Sequence, residues 1–143
     1  MSGFKPKDAG WRERVEASFA SQTFMRTLGV RLAELEPGRC ALEMPVRPDL
    51  CQQNGFVHAG ASTAIADTAA GYAAYSLMPA GVNVLTVEFK MNLLNPAEGD
   101  VLVARAQVIK PGRTLVVVRS DVFGIRDGGE RHVAAMLATM MSL

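Results

Sequence analysis

The sequence predicts an α+β protein in which an antiparallel sheet of roughly five to six strands wraps around one long central helix. Residues 59–78 contain a single charged side chain and eight alanines, and segments of alternating apolar and polar residues lie on either side of this stretch. Short turns rich in Pro and Gly join those segments, which indicates hairpins. A helix that is small and apolar on every face must be covered, so we expect the sheet to curl around it.

Local signals define each predicted element. Apolar residues at helical spacing predict an N-terminal helix, period-two alternation predicts strands, and Pro-Gly or Asp-Gly pairs supply the backbone angles of turns. The first predicted elements are a helix through Trp11, Val15, Phe19 and Phe24, then strands over 30–35 and 39–46 joined by a turn at Pro37-Gly38. A loop over 47–57 and the long helix from about His58 to Pro79 follow. The last elements are strands over 85–93, 101–109, 114–123 and 131–141, with a type II turn at Lys110-Pro111-Gly112-Arg113 and a turn at Asp127-Gly128-Gly129.

Length and charge limit the class of protein. With 143 residues, 49% hydrophobic and 20% charged, the chain fits one globular domain over residues 1–143, with a helical N-terminal extension over about 1–27. Its formal net charge of +1 lacks the basic excess of a nucleic-acid or membrane-surface binder, so we expect neither partner. Any anionic ligand must be held by local charges.

Three further features favour a cytoplasmic protein. Cys40 and Cys51 lack the spacing of a disulfide framework or a zinc site, so free thiols are expected. The N-terminus has scattered charges and no apolar stretch of the signal-peptide kind. If residues 59–78 crossed a membrane, Asp67 near their middle would cost about 2.5–3.5 kcal/mol, which alanine does not offset.

Asp67 is the strongest candidate for chemistry. It is the only residue between His58 and Glu88 that is charged at neutral pH, and it lies within a helix predicted to be enclosed. Carboxylates are rarely buried without a partner or a function, and burial makes such a group a stronger base or nucleophile. A structural role remains open, in which Asp67 bonds neighbouring backbone or faces a solvent gap.

The start of the long helix is a second candidate. Gly55, Ala59 and Gly60 allow close approach of another molecule, and the first amides of a helix are unpaired donors that can hold an oxyanion. Close packing of the helix on a strand explains the same small residues. His58 caps the helix or orients the loop, and we do not assign it proton transfer.

Thr86 occupies the polar side of the strand over residues 85–93. The alternation predicts a half-buried strand in which Thr86 shares a face with Glu88 and Lys90, opposite the apolar set. Thr86 therefore reaches Asp67 only if the strand bends at its start or if a partner covers that face.

Combined motifs identify a family resemblance. The segments QQNGFVHAGASTAIADTAAGYAAY, TVEFKMNLLNPAEGD and KPGRTL resemble the hotdog-fold acyl-CoA thioesterases of the phenylacetate-pathway type, over roughly residues 25–143. The resemblance implies the hotdog fold and hydrolysis of an acyl-CoA thioester without a cofactor. It also implies a homo-oligomer, a dimer or a dimer of dimers, with sites at the dimer interface.

The resemblance also implies roles for particular residues. Asp67 falls on the acidic nucleophile or general base, and Ala59 on the oxyanion amide, although this chain reads His58-Ala59-Gly60 where the family usually has His-Gly-Gly. Gln52 falls on the polar orienting position, with Asn54 as a rival. Thr86 falls on a hydroxyl at the start of the next strand.

The substrate would be held by other residues as well. We expect Asn54, His58 and Gly60 to lie against the substrate beside the helix start. Lys110 and Arg113 flank the Pro-Gly turn and either bind the phosphates of coenzyme A or are ordinary solvated turn residues.

Helix geometry gives an independent argument for a shared site. Ala59 and Asp67 are eight residues apart on one helix, which is about 12 Å along its axis. One carbonyl cannot contact both, so a site that uses both must take them from different subunits.

Two other functions remain open: a hotdog hydratase or dehydratase that uses His58 with a carboxylate, and a non-catalytic acyl-CoA-binding module.

Overall fold

The computed structural model describes residues 3–143 and confirms the α+β class. Its elements are α1 (Trp11–Ser21), α2 (Thr23–Thr27), β1 (Arg31–Glu36), β2 (Arg39–Pro45), a 3₁₀ turn (Pro48–Leu50), α3 (Ala59–Tyr75), β3 (Val84–Leu93), β4 (Val101–Pro111), β5 (Leu115–Arg126) and β6 (Gly129–Ser142). The six strands form one sheet in the order β1-β2-β4-β5-β6-β3, and every neighbouring pair is antiparallel. The strand that follows α3 therefore lies at the edge, beside β6.

The hydrophobic core lies between α3 and one face of the sheet. Ile65, Ala69 and Ala73 of α3 are fully buried, as are Leu42 on β2 and Val118 on β5. Alanine at most core-facing positions allows the helix to lie close to the strands. Within residues 3–143, no helix is long and apolar enough to cross a membrane.

The sheet packs around α3 as the sequence predicts, but one side of the helix stays partly open, so the expectation that Asp67 is enclosed is wrong for the single chain. One layer of strands covers one side of a helix, and the opposite side stays partly open. The residues on that side are half-buried or exposed, and they form an open stripe made of Gly60, Thr63, Ala64, Asp67, Thr68 and Gly71. Their spacing of three and four residues puts them on one face of α3.

The edge strand β3 is also less covered than its alternation predicts. Its apolar residues Leu85, Val87 and Phe89 are 53%, 52% and 44% exposed, so the expectation of a half-buried strand is wrong in the single chain. β3 pairs with β6 along one edge only. A long edge strand with exposed apolar side chains is suited to pairing with another chain.

Two of the three predicted turns are confirmed. Gly38 has a φ of 76° at the Pro37-Gly38 turn. Asp127 and Gly128 have φ values of 50° and 76°, as in the type I′ hairpins whose twist matches that of the flanking strands.

The type II turn predicted at Lys110-Pro111-Gly112-Arg113 is wrong. β4 continues to Pro111, which pairs with Val116, and Gly112 does not take the positive φ that a type II turn requires. The register shifts between Val108 and Lys110, which admits an extra residue into the hairpin. Gly112 is needed for a different reason, since a Cβ there would lie 2.1 Å from the Leu115 carbonyl oxygen.

The predicted N-terminal helix is present as two helices that pack on the core. Val15 of α1 and Met25 of α2 are 0% and 2% exposed. Arg14 donates hydrogen bonds to the carbonyl oxygens of Met78 at 2.8 Å and Tyr75 at 3.3 Å, which ties α1 to the end of α3.

Candidate active site

Asp67 and Thr86 meet at the boundary between α3 and the edge strand. The Thr86 hydroxyl Oγ1 donates a hydrogen bond of 2.7 Å to Asp67 Oδ1 and lies 3.4 Å from Met140 Sδ. Asp67 belongs to the open stripe and is half-buried rather than enclosed. One carboxylate oxygen is thus fixed by a hydroxyl donor, while the group stays accessible from the open side of α3.

A β-bulge brings Thr86 to this position. Thr86 pairs with Met140, but Glu88 pairs with Thr139, so one partner residue on β6 is matched by two on β3 and Val87 is the extra residue. The expectation that Thr86 shares a face with Glu88 is therefore wrong. We expected Thr86 to reach Asp67 either through a bend at the start of the strand or through a partner that covers that face, and the structure shows the bend. Glu88 points the other way and accepts a hydrogen bond from the Thr139 hydroxyl.

His58 caps the N-terminus of α3. Its extended backbone, with φ −60° and ψ 137°, precedes the first helical residue, and its Nδ1 accepts a hydrogen bond of 2.8 Å from the Gly60 N–H. Nδ1 must be unprotonated to accept that bond. The sequence left two roles open for His58, capping the helix or orienting the loop, and the structure shows capping.

The Ala59 N–H remains as an open donor beside this cap. In the described residues 3–143 no group accepts a hydrogen bond from it, whereas the Gly60 N–H is used by His58 and the Ala61 N–H by the His58 carbonyl at 2.9 Å. An unpaired amide at the first position of a 17-residue helix lies in the positive end of the helix dipole. Such a donor suits an oxyanion, and this role of Ala59 stays a prediction.

The loop before α3 is held by its own backbone. The Gln52 N–H donates to the Phe56 carbonyl at 2.8 Å, and Gln52 Oε1 accepts from the Asn54 N–H. Gly55 has a φ of 85°, which this turn requires and which favours glycine. Gln52 is half-buried and Asn54 is exposed. No group of residues 3–143 accepts a hydrogen bond from the Gln52 carboxamide nitrogen, which leaves it as a donor, and its orienting role also stays a prediction.

Within one chain, the predicted site residues form three separate groups. Asp67 and Thr86 are together, and Ala59, Gly60 and His58 are together at the helix start with Gln52 and Asn54 in the adjoining loop. Lys110 and Arg113 lie at the β4–β5 hairpin, where Arg113 shares a pocket with Leu77 and Met78 just beyond the end of α3. Because α3 has 17 residues, its two ends are separated by about 24 Å.

Sequence reasoning missed one part of the site, a cleft that leads away from Asp67. The cleft has a volume of about 260 Å³ and runs along α3 past Gly71 to Tyr72. The Tyr72 hydroxyl accepts a hydrogen bond of 2.9 Å from Gln22 Nε2 and lies 3.1 Å from Ser18 Oγ. Burial raises the pKa of Tyr72, so the phenol stays protonated at neutral pH. Gly71 lies four residues after Asp67, a spacing that places both on one face of α3 and could have indicated the cleft. Nothing in the sequence of α1 or in the residue after it indicates Ser18 or Gln22.

The two cysteines are free thiols with different surroundings. Cys40 is buried, and burial raises its pKa to about 12, so it is chemically inert at neutral pH. Cys51 is half-buried and lies in the loop, where its Sγ is 3.4 Å from the Arg47 carbonyl oxygen.

Comparison with known proteins identifies the family. Residues 54–129, more than half of the chain, match the family described as the thioesterase superfamily. The chain belongs to the thioesterase superfamily. This thioesterase is 52% identical to a thioesterase family protein of Silicibacter pomeroyi, and the two structures superimpose with a TM-score of 0.92 over 94% of this chain and 98% of the other.

Two further proteins are similar to the thioesterase at lower identity. The PaaI protein from the phenylacetic acid degradation operon of E. coli superimposes with a TM-score of 0.83 at 22% identity, over 93% of each chain, which shows the shared fold. A 1,4-dihydroxy-2-naphthoyl-CoA hydrolase of Listeria monocytogenes is 25% identical over 91 residues, which are 64% of this chain and 74% of that protein. The predicted resemblance and the hotdog fold are confirmed, and the thioesterase is a thioester hydrolase.

Proposed function

We propose that this thioesterase hydrolyses an acyl-CoA, releasing a carboxylic acid and coenzyme A, at a site shared by two subunits. The observation that carries the proposal is the hydrogen bond of 2.7 Å between Thr86 Oγ1 and Asp67 Oδ1 on the open side of α3. It orients the only carboxylate of that helix and leaves Oδ2 available to a substrate. The similarity to a CoA hydrolase supports coenzyme A as the leaving thiol.

Asp67 supplies the nucleophilic step in one of two ways. As a general base, it takes a proton from water while the water oxygen bonds to the thioester carbonyl carbon. As a nucleophile, its own oxygen bonds to that carbon and gives a mixed anhydride, which water then cleaves. Both routes break the carbon–sulfur bond and consume one water, and in both Thr86 acts by orienting the carboxylate.

The Ala59 amide is proposed to stabilise the oxyanion that forms on the carbonyl oxygen. Its N–H has no other acceptor among residues 3–143, and a fixed donor of this kind contributes on the order of a hundredfold in rate. Gln52 would orient the water or the carbonyl, with Asn54 as the alternative. Lys110 and Arg113 would bind phosphates of coenzyme A.

The same geometry supports a dimer, which we propose as the assembly, alone or within a dimer of dimers. Ala59 and Asp67 are about 12 Å apart along α3 and must act from different chains on one thioester. The open stripe of α3 and the exposed apolar residues of β3 adjoin each other, because Thr86 of β3 bonds Asp67 of the stripe. A second copy of the chain would cover both surfaces and bring its own Ala59 to the first copy's Asp67.

The test is hydrolysis of a panel of acyl-CoAs, followed by detection of the released thiol. Asp67→Asn keeps the shape of the side chain and removes its charge, so we expect turnover to fall by about a hundredfold or more. Asp127→Asn is the matched control, because Asp127 lies in an exposed hairpin turn with a φ of 50° that asparagine also adopts. It should hydrolyse the substrates as well as the wild type.

Two results would contradict the proposal. Wild-type turnover by Asp67→Asn would show that the carboxylate is not part of the chemistry. Binding of acyl-CoA by the wild type without thiol release would favour the binding module, and addition of water to an enoyl-CoA would favour the hydratase.

A further inference from the structure

We propose that the N-terminal segment over residues 4–8 and the β4–β5 hairpin together bind the phosphorylated nucleotide end of coenzyme A. This inference rests on the proposed acyl-CoA hydrolysis and adds Lys5 and Lys7 to the residues that hold the substrate. Neither lysine was assigned a role from the sequence.

A pocket of about 160 Å³ lies between the segment, the hairpin and the residues that follow α3. Phe4, Leu77 and Pro111 contribute apolar surface, and Lys5, Lys7 and Arg113 contribute positive charge; all six residues line this one pocket. An apolar wall beside several cations suits a nucleotide, since the faces of its base are flat and aromatic and its phosphates are anionic.

The cations of the pocket are not neutralised by the protein. Among residues 3–143, Lys5, Lys7 and Arg113 take part in no salt bridge. Arg113 differs in this from most of the other arginines, which pair with an acid, as Arg105 does with Glu130 and Arg119 with Asp121. Three unpaired cations that line one concave surface attract an anion, and arginine can bind a phosphate through two parallel hydrogen bonds.

The acid nearest to the lysines in sequence, Asp8, is bonded to other groups. Asp8 Oδ2 accepts a hydrogen bond of 2.9 Å from Arg14 Nε, and Asp8 Oδ1 accepts one of 3.0 Å from the Gly10 N–H. Arg14 also donates to the Met78 carbonyl oxygen at 2.8 Å. The same arginine thus occupies the carboxylate of Asp8 and offsets the negative end of α3, both of which would repel a phosphate.

The segment is fixed at both of its ends. Phe4 packs against the core, and its ring lies directly on Gly38, where an added Cβ would be 2.9 Å from Phe4 Cδ2. Asp8 fixes the other end through Arg14, which itself bonds the residues that follow α3. Lys5 and Lys7 are therefore exposed side chains on an anchored backbone, so little ordering is needed when they bind a ligand.

The position of the pocket fits the length of the substrate. Asp67 and Tyr75 are eight residues apart on α3, which is about 12 Å along its axis, and the pocket begins just after, at Leu77. A thioester at Asp67 and a nucleotide in the pocket must be joined by a long flexible linker. The pantetheine arm of coenzyme A is such a linker.

The test compares two esters of the same acyl group, one on coenzyme A and one on pantetheine, which lacks the nucleotide. In the variant Lys5→Ala/Lys7→Ala we expect KM for the acyl-CoA to rise about tenfold, with kcat unchanged and no effect on the acyl-pantetheine. The control Arg26→Ala/Arg39→Ala removes the same charge from exposed sites that lie outside the pocket and away from β3, and it should leave both KM values unchanged. Calorimetric titration with adenosine 3′,5′-bisphosphate should show binding to the wild type and weaker binding to the lysine variant.

The inference would be overturned if the lysine variant had the same KM for acyl-CoA as the control variant, or if it bound adenosine 3′,5′-bisphosphate as tightly as the wild type. Failure of the proposed function would look different, since the wild type would then hydrolyse neither ester. Calorimetry would still decide whether Lys5 and Lys7 hold a nucleotide in that case.

Discussion

A mixture of two inactive variants should recover activity if each site takes its two halves from different chains. Ala59→Pro removes the proposed oxyanion donor, and Asp67→Asn removes the carboxylate. Ala59 is the first residue of α3, where proline is tolerated, and the preceding His58 has the extended backbone that a residue before proline adopts. The first variant should therefore fold and lack only one N–H.

The size of the recovered activity follows from random mixing of subunits whose sites are shared between two chains. Each variant alone is expected to lose on the order of a hundredfold or more of its activity. After subunit exchange, random mixing makes about half of the dimers mixed, and each mixed dimer has one site with both native groups and one with neither. The mixture should therefore reach about a quarter of wild-type activity.

The assay is thiol release from an acyl-CoA after the folded variants have been mixed and allowed to exchange subunits. The control mixture combines Asp67→Asn with Thr86→Val, whose changes lie on the same half of the site because Thr86 bonds Asp67 within one chain. That mixture should show no more activity than Thr86→Val alone. If Ala59→Pro and Asp67→Asn both fold and exchange but recover nothing, the shared site is refuted.

Two further predictions concern residues around Asp67. Thr86→Val removes the hydrogen bond to Asp67 Oδ1, so kcat should fall about tenfold with KM and the thermal midpoint nearly unchanged; unchanged kcat would exclude the orienting role. Gly71→Leu fills the cleft, because a Cβ there meets nothing within 4 Å. Glycine is less favourable in a helix than alanine by about 0.8–1.0 kcal/mol, and leucine ranks close to alanine, so the fold should survive, and kcat/KM should fall for bulky acyl groups relative to acetyl. Gly71→Ala is its control, and equal losses for both acyl sizes would show that acyl groups do not occupy the cleft.

Hydrophobic patterning identifies most of the fold from the sequence. The long run of alanine without charge predicts α3, the alternation predicts the strands, and the single charge within the run singles out Asp67. Each of these features is local, so the residues of one segment are enough to predict that segment's structure. The positive φ values of Gly38 and Gly128 were predictable for the same reason, because Pro-Gly and Asp-Gly pairs favour particular turns.

Features that depend on contact between distant segments were not predictable in this way. The apolar composition of α3 predicts that the helix is covered, but it does not indicate whether the same chain or a second chain covers it. The sheet of the same chain covers one side, and the open stripe that includes Asp67 and Gly71 remains. The cleft residues Ser18 and Gln22 were missed because α1 reaches Tyr72 only after the chain has folded.

The bulge in β3 shows most clearly how tertiary pairing decides the chemistry of the site. The sequence around Thr86 alternates without interruption, so nothing in it marks an extra residue. If β3 paired regularly with β6 from Glu88 backwards, Val87 would stand opposite Met140 and face Asp67, and Thr86 would turn to the outer face. An apolar side chain would then desolvate the carboxylate and offer it no hydrogen bond, which is unfavourable for a charged group. Because Val87 is bulged instead, the residue opposite Met140 is Thr86, and its hydroxyl lies 2.7 Å from Asp67 Oδ1. The orientation of the carboxylate therefore depends on one irregularity in the edge strand.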